Sequence, residues 1–195
     1  MKKVMMTAQD FIDQWATAYY RRCDLILPVW SQRKAYTREM VNVLAEIAAA
    51  NELGMNTEYY STDGILFRPE DAHFERNRFY IINPVVVFEH ENDSDSITDE
   101  VAHHLLLDAD LYATVGYYHN RINDHYLDSL HSIISKSRKA ASLAERGNFL
   151  IILGADDYWR ETDYWRGFIY RVDHWEELQP SVITEWPKRL KPISS

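Results

Sequence analysis

"VVVFEHEND", residues 85–93, decides how the chain is to be read. Four apolar residues run straight into Glu89, His90 and Glu91, with Asn92 and Asp93 behind them. Side chains alternate faces along a strand, so Glu89 and Glu91 share one face and His90 takes the other. Two carboxylates on one face at the end of so hydrophobic a strand admit two readings. They are oxygen ligands for a cation, or they are the charged end of a buried strand as it surfaces.

Working outward, the pattern predicts an α/β chain. "TAQDFIDQWATAYYRRC" (7–23) has helical periodicity, with Thr7 as N-cap and Asp10 three residues on. "TREMVNVLAEIAAANELG" (37–54) predicts a second helix, capped by Thr37 and stopped by Gly54. Pro28 and "VWSQRK" between them read as an irregular connection. "TEYYSTDGILF" (57–67) has strand composition, and "RPEDAHFERN" (68–77) reads as a polar hairpin loop. "RFYIINPVVVFEHEN" (78–92) reads as one long strand, with Pro84 at an edge or a bulge. A short helix over 97–109 and a strand "LYATVGYY" (111–118) follow. Residues 124–147 then predict one long helix closed by Gly147. "NFLIILGADD" (148–157) is a near-continuous apolar run of the kind buried strands show, and "WRGFIYRVDHW" (165–175) is the last strand. The order α–α–β–β–β–α–β–α–β–β predicts one α/β domain with a mixed sheet.

The strand reading brings a third carboxylate into play. If the hairpin between the two strands folds around residue 76, Asp63 lies beside Glu89. Three converging carboxylates suit Mg²⁺ (or Mn²⁺), a hard cation that keeps several waters. Such an ion activates water and stabilises charge on a phosphodiester. The same residues also fit a plainer account, in which Asp63 caps a turn and the glutamates cap a strand.

Composition narrows the function classes. The formal net charge is −9, spread along the chain, whereas a protein gripping duplex phosphates is expected to show a basic stripe. Cys23 is the one cysteine, so no intramolecular disulfide forms, and a reducing cytoplasm is the expected setting. No apolar run approaches the ~20 residues that cross a bilayer, so no membrane is expected.

Other signals are weaker. Among the eight histidines no pair has HExxH spacing, and adjacent His103 and His104 point about 100° apart on a helix, too divergent to share an ion. Asp124, Asp128 and His131 read as a solvated helix face. Lys136, Arg138, Lys139 and Arg146 in "SKSRKAASLAER" could meet a phosphate backbone or simply face solvent. Trp159, Trp165, Trp175 and Trp186, with Tyr158, Tyr164 and Tyr170, suit stacking on bases or, more commonly, packing and interfaces.

"TEYYSTDGILF", then "VVVFEHEND", an amphipathic helix and "LYATVGYY", resemble the core of the PD-(D/E)XK (restriction endonuclease-like) nuclease superfamily. That core has an Asp at the start of one strand and an acidic-x-basic element on the next, followed by a helix and a further strand. The match is nearest to a branch of uncharacterised bacterial and phage proteins whose second element reads Glu-x-Glu. "DEVAHHLL" and "ATVGYY" correspond to the helix and strand that follow there, and "NFLIILGADD" and "GFIYRV" to the terminal strands. The resemblance spans roughly residues 36–172, with residues 1–35 as a helical extension and 173–195 as a tail of a single domain 1–195.

The resemblance implies a three-layer core, a central mixed sheet flanked by helices. It implies that Asp63 and Glu89 bind metal and that Glu91 stands where a lysine is usual. In related proteins the following helix can supply that basic group, and here it carries His103 and His104. The superfamily often adds a Glu from the first core helix. At ~3.3 Å per strand residue and ~1.5 Å per helix residue, the helix position level with Asp63 is Glu39 rather than Glu46. The expected activity is metal-dependent hydrolysis of DNA phosphodiesters through Asp63, Glu89, Glu91 and Glu39. The alternative is an inactive nuclease fold serving as a protein-binding or regulatory module, with a protein partner or a homodimer. A Lys or Arg head beside Glu91 would replace the absent lysine from elsewhere in the chain.

Overall fold

The structure is a computed structural model that describes residues 5–93, 96–118, 124–155 and 165–181. Its centre is a seven-stranded mixed sheet with the order β1-β2-β5-β6-β7-β8-β9. The strands are β1 (Gly54–Asn56), β2 (Gly64–Phe67), β5 (Pro84–His90), β6 (Leu111–Tyr118), β7 (Phe149–Ala155), β8 (Trp165–Tyr170) and β9 (Trp175–Leu178). β5, β6 and β7 are parallel, and the remaining neighbours pair antiparallel. β3 (Ala72–Glu75) and β4 (Arg78–Ile81) form a separate two-stranded ribbon.

Alternation along the strands builds two cores. Leu66, Val86, Phe88, Ala113, Val115, Leu150 and Ile152 face helices α1 (Ala8–Arg21) and α3 (Arg33–Ala50). Ile65, Val87, Tyr112, Phe149, Ile151 and Leu153 face α4 (Ile97–His104), α5 (Asp124–Ser135) and α6 (Ala140–Arg146). The result is a three-layer α/β/α arrangement, which explains why the central strands read as continuous apolar runs: both faces are covered. The first core is rich in aromatics. Trp15 lies 5.4 Å from Phe88 and meets Trp165 edge-on at 5.6 Å. The helix carrying it, in the stretch read as an N-terminal extension, thus packs directly on the sheet. At the other end, β9 extends the sheet from β8.

Helix α1 starts as its sequence predicts. Thr7 Oγ1 accepts from the Asp10 backbone N–H at 3.1 Å, and Asp10 accepts from the Thr7 N–H at 3.1 Å. Helix α6 ends at Gly147, whose φ of 58° is left-handed, which glycine adopts without a Cβ clash.

Several boundaries differ from the expected ones. Thr37 lies inside α3, which begins four residues earlier at Arg33 because Tyr36 is drawn into the core. Its hydroxyl instead accepts from Asn92 Nδ2 at 3.1 Å. The helix stops at Ala50, and Gly54 opens β1. A short helix, α2 (Cys23–Ile26), and a 3-10 turn at Leu27–Val29 fill the connection read as irregular. The long strand over 78–92 is two strands in different sheets, divided at Ile82–Asn83. Pro84 opens β5 opposite a register shift at Leu66/Phe67, so its bulge position holds while β5 itself is interior. The loop 68–77 contains β3, closed on β4 by Arg76 and Asn77, both with positive φ, as tight hairpin turns require. The single helix over 124–147 is broken at residues 136–139 into α5 and α6. The last strand is likewise two, β8 and β9.

One close approach matters for the site. A Cβ built on Gly116 of β6 would lie 2.5 Å from Ile97 Cδ1, and Ile97 is fully buried. Glycine here lets α4 settle directly onto the sheet beside β5. Among the described residues, no helix is long and apolar enough to cross a membrane.

Candidate metal centre

The β2–β5 register pairs Gly64 with Phe88, which places Asp63 opposite Glu89, as a hairpin centred near residue 76 predicts. The two side chains extend the ladder beyond its backbone bonds. Asp63 N–H donates to Glu89 Oε2 at 3.0 Å, and His90 N–H donates to Asp63 Oδ2 at 2.8 Å. Each carboxylate thus satisfies a strand amide on the neighbouring strand. The loop before Asp63 is sharply curved rather than extended. Glu58, Tyr60 and Ser61 are all left-handed, and Tyr59 Oη anchors the loop by accepting from Ile81 N–H at 3.0 Å. Backbone of this kind is costly and persists where its surroundings over-determine it.

Alternation places His90 on the opposite face. It is buried there against Tyr36, and its Nε2 lies 2.9 Å from Tyr117 Oη, which is also bonded to Tyr36 Oη. Burial pushes the His90 imidazole down to about 3, so it stays neutral.

Glu89 is the focal residue. It is 2 % exposed, and its Oε1 makes no hydrogen bond. That oxygen faces α4, where His103 Nδ1 lies 3.2 Å away in contact but without hydrogen-bond alignment. Glu100, one helical turn before His103, completes a group whose ligand atoms all lie within 4.8 Å of one another. Desolvation is the largest influence on Glu89 and pushes its carboxyl up to about 8. The Asp63 N–H opposes that rise, and the charges of Glu100, Asp63 and Glu91 add to it. Asp63 and Glu100 are raised as well, by burial first and then by neighbouring carboxylates. Carboxylates collected this closely repel one another unless protons or a cation offset them.

Glu91 follows β5, its N–H bonded to Val115 O at 2.8 Å. Arg33, in the first turn of α3, reaches its Oε1 at 3.7 Å. A basic head therefore does lie beside the position where the lysine was expected. It is loosely held, since the Arg33 side chain is 74 % exposed. Glu39 is held away from this centre. Its Oε2 accepts from Arg22 at 2.6 Å and its Oε1 from Asn42 Nδ2 at 3.1 Å. Arg22 also holds Glu46 at 3.1 Å, so both glutamates weighed for this role serve the α1–α3 contact. The physical reason is the layer: α3 covers the face opposite α4.

The remaining candidates resolve into structural parts where they are described. His104 is fully buried beside Thr114, its Nδ1 3.2 Å from Oγ1, and so diverges from His103 as expected. His131 packs on Tyr170 and lies 3.0 Å from the Arg171 carbonyl, which removes it from a solvated face, while Asp128 is exposed. Lys139 donates to the Leu107 carbonyl and Arg146 to Ala109 O at 3.2 Å, so half of the basic run ties α6 to the loop before β6. Trp165 and Tyr170 are core residues, and Trp175 donates to Leu127 O at 2.9 Å. Cys23 is half-buried, and burial pushes its thiol up to about 11. Trp159, Trp186, Tyr158 and Tyr164 lie outside the described residues, as does the side chain of Asp124.

Glu100 was missed by the sequence reading, although a signal was present. Glu100-x-x-His103 sits one turn apart on a helix, a spacing that aims both side chains at one point. A lysine is what the resemblance leads one to expect on that helix, and the chain carries a carboxylate–imidazole pair there instead.

Fold and site together define the class: a three-layer α/β protein with an acidic, partly buried cluster at the carboxyl ends of its parallel strands, where open α/β sheets commonly bind ligands. No protein-family model, curated protein or solved structure matches the chain.

Proposed function

We propose that the protein is a divalent-metal-dependent nuclease of the restriction endonuclease-like kind, hydrolysing phosphodiester bonds in DNA in a cytoplasmic setting. The observation that carries this reading is Glu89: a buried carboxylate whose Oε1 makes no hydrogen bond and is aimed at His103 and a second acid, Glu100. Burying such an oxygen without a hydrogen bond costs about 1–3 kcal/mol, and a cation offsets that cost together with the repulsion between the carboxylates. The donor set therefore fits a metal ion. When bound, such an ion polarises a phosphodiester and lowers the pKa of a coordinated water. Asp63 fixes the Glu89 carboxylate through its backbone N–H, and Glu91 is the candidate base for the attacking water. Arg33, exposed at the rim, supplies positive charge toward a phosphate.

A second reading keeps the fold without the chemistry, as a protein-binding or regulatory module. It is favoured by the acidic surroundings, Glu58, Glu91, Asp99 and Glu100, which repel a polyanion in the absence of metal. Cleavage of single- and double-stranded DNA with Mg²⁺ or Mn²⁺, compared with Glu89→Gln and Asp63→Asn, separates the two. Metal-dependent cleavage lost in Glu89→Gln supports the nuclease, with Asp63→Asn, which keeps its backbone N–H to Glu89, as the comparison. Absence of cleavage across both ions and both substrates sinks it.

A further inference from the structure

The direction in which Glu89 points carries a more specific conclusion. Its Oε2 is already engaged by the Asp63 N–H, and Asp63 Oδ2 by the His90 N–H. The oxygen left over, Oε1, does not face Asp63. It faces α4, where His103 Nδ1 and a Glu100 oxygen converge on it. We propose that Glu89 Oε1, Glu100 and His103 Nδ1 form a three-ligand site for a first-row transition dication, of which Co²⁺ and Mn²⁺ are the probes.

Ligand chemistry selects the class of ion. Mg²⁺ demands near-octahedral oxygen coordination and dehydrates reluctantly, whereas imidazole suits Mn²⁺, Fe²⁺, Co²⁺ and Zn²⁺ progressively better. Two carboxylates and one imidazole, with other positions open to water, resemble a catalytic rather than a sealed structural set. Bonds of ~2.1 Å hold ligand atoms at most ~4.2 Å apart, so closing the 4.8 Å spread takes side-chain shifts of under about 1 Å. Glu100 and His103 are only half-buried, which leaves them that freedom. The 98 % buried Glu89 is the fixed point on which they close. Asp63 then acts as a positioning residue, holding Glu89 from the far side.

This assignment rests on the metal-binding half of the nuclease reading and not on the cleavage half. The test is titration of the full chain with CoCl₂, read by visible absorption and calorimetry, with MnCl₂ and MgCl₂ in parallel. Glu100→Gln, His103→Gln and Asp63→Asn are titrated after circular dichroism shows each to be folded. One equivalent of Co²⁺ binds the wild type with ligand-field bands and more tightly than Mg²⁺. Losing either α4 ligand weakens Co²⁺ binding about ten-fold or more, as loss of metal-supporting groups commonly does. Asp63→Asn, which keeps the N–H to Glu89, leaves the bands unchanged. The assignment is overturned by undetectable Co²⁺ binding at millimolar concentration, by equal affinity for Mg²⁺, or by binding that depends on Asp63 but not on Glu100 or His103. The wild-type titrations decide even if a variant fails to fold. Co²⁺ binding without cleavage overturns the nuclease alone, whereas Mg²⁺-supported cleavage without Co²⁺ binding overturns this site alone.

Discussion

Replacing Glu89 with Gln should flatten the pH dependence of stability. In the folded chain the Glu89 carboxyl is pushed up to about 8 from an ordinary value of 4.5. Below the ordinary value both folded and unfolded chains hold the proton, and this group's stabilising contribution is fully present. As pH rises the unfolded chain releases the proton first, and the contribution is lost as pH climbs through the folded value. The slope is about 1.4 kcal/mol per pH unit. Over the whole window the loss is on the order of 5 kcal/mol, an upper figure for a fully desolvated carboxyl. At ~2–4 °C per kcal/mol for a chain of this size, the apo protein should lose up to roughly 10–20 °C in Tm between acidic and mildly alkaline pH on this account. Glu89→Gln keeps a carbonyl oxygen for the Asp63 N–H and cannot ionise, so its Tm should fall less steeply. Asp63 and Glu100, also raised, contribute the same sign in both proteins, and the difference between the curves isolates Glu89. Thermal melts followed by circular dichroism in excess EDTA, across pH 5 to about 9, make the comparison. Parallel curves for wild type and variant would refute the reasoning, because they would show that Glu89 ionises freely in the folded chain.

Three further outcomes follow from the packing. Gly116→Val should push Ile97 off β6, costing about 1–3 kcal/mol by overpacking, and should weaken Co²⁺ binding by lifting α4 from Glu89; an unchanged urea midpoint with unchanged Co²⁺ affinity counts against it. Trp15→Ala should cost ~3–5 kcal/mol in urea unfolding, because the indole is fully buried between Phe88 and Trp165. Arg22→Met should cost about 1–2 kcal/mol, between the values for exposed and buried pairs, by leaving Glu39 and Glu46 without their shared cation. A double variant that adds Glu39→Gln should recover part of that loss, whereas a Glu39 with a metal role would instead lower ion affinity.

What was legible in the chain followed from local rules. Alternation over Val85–Glu91 set which face each residue takes, and a hairpin centred near residue 76 brought Asp63 beside Glu89 in the observed register. The capping box at Thr7 and the stop at Gly147 were equally local. What was not legible depended on tertiary context. Asn83-Pro84 interrupts the apolar stretch from Phe79 to Val87, but it gives no sign that the chain leaves one sheet for another there rather than bulging within one. Tyr36 extends α3 backward past Thr37 because it packs against Trp30, Tyr117 and His90 on other elements. The β-prone residues of "TEYYST" form a curved loop because Tyr59 is anchored on β4. Within the site, Asp63, Glu89 and Glu91 were visible as a pattern. The Glu100-x-x-His103 spacing pairs those two residues with each other, but their meeting with Glu89 needed the depth to which α4 sinks over Gly116.

The crossed pairing between Asp63 and Glu89 gives the protein an intrinsic reporter. The amide protons of Asp63 and His90 are held by carboxylate oxygens rather than by carbonyls. Their chemical shifts therefore follow the charge state of those carboxylates, and their exchange with solvent follows local opening of the β2–β5 hairpin. The clustered acids and His103 all lie within residues 63–103, close in the chain to both reporter amides. Two backbone resonances can thus be read for protonation, ion occupancy and local opening in a single spectrum, before any substrate is identified.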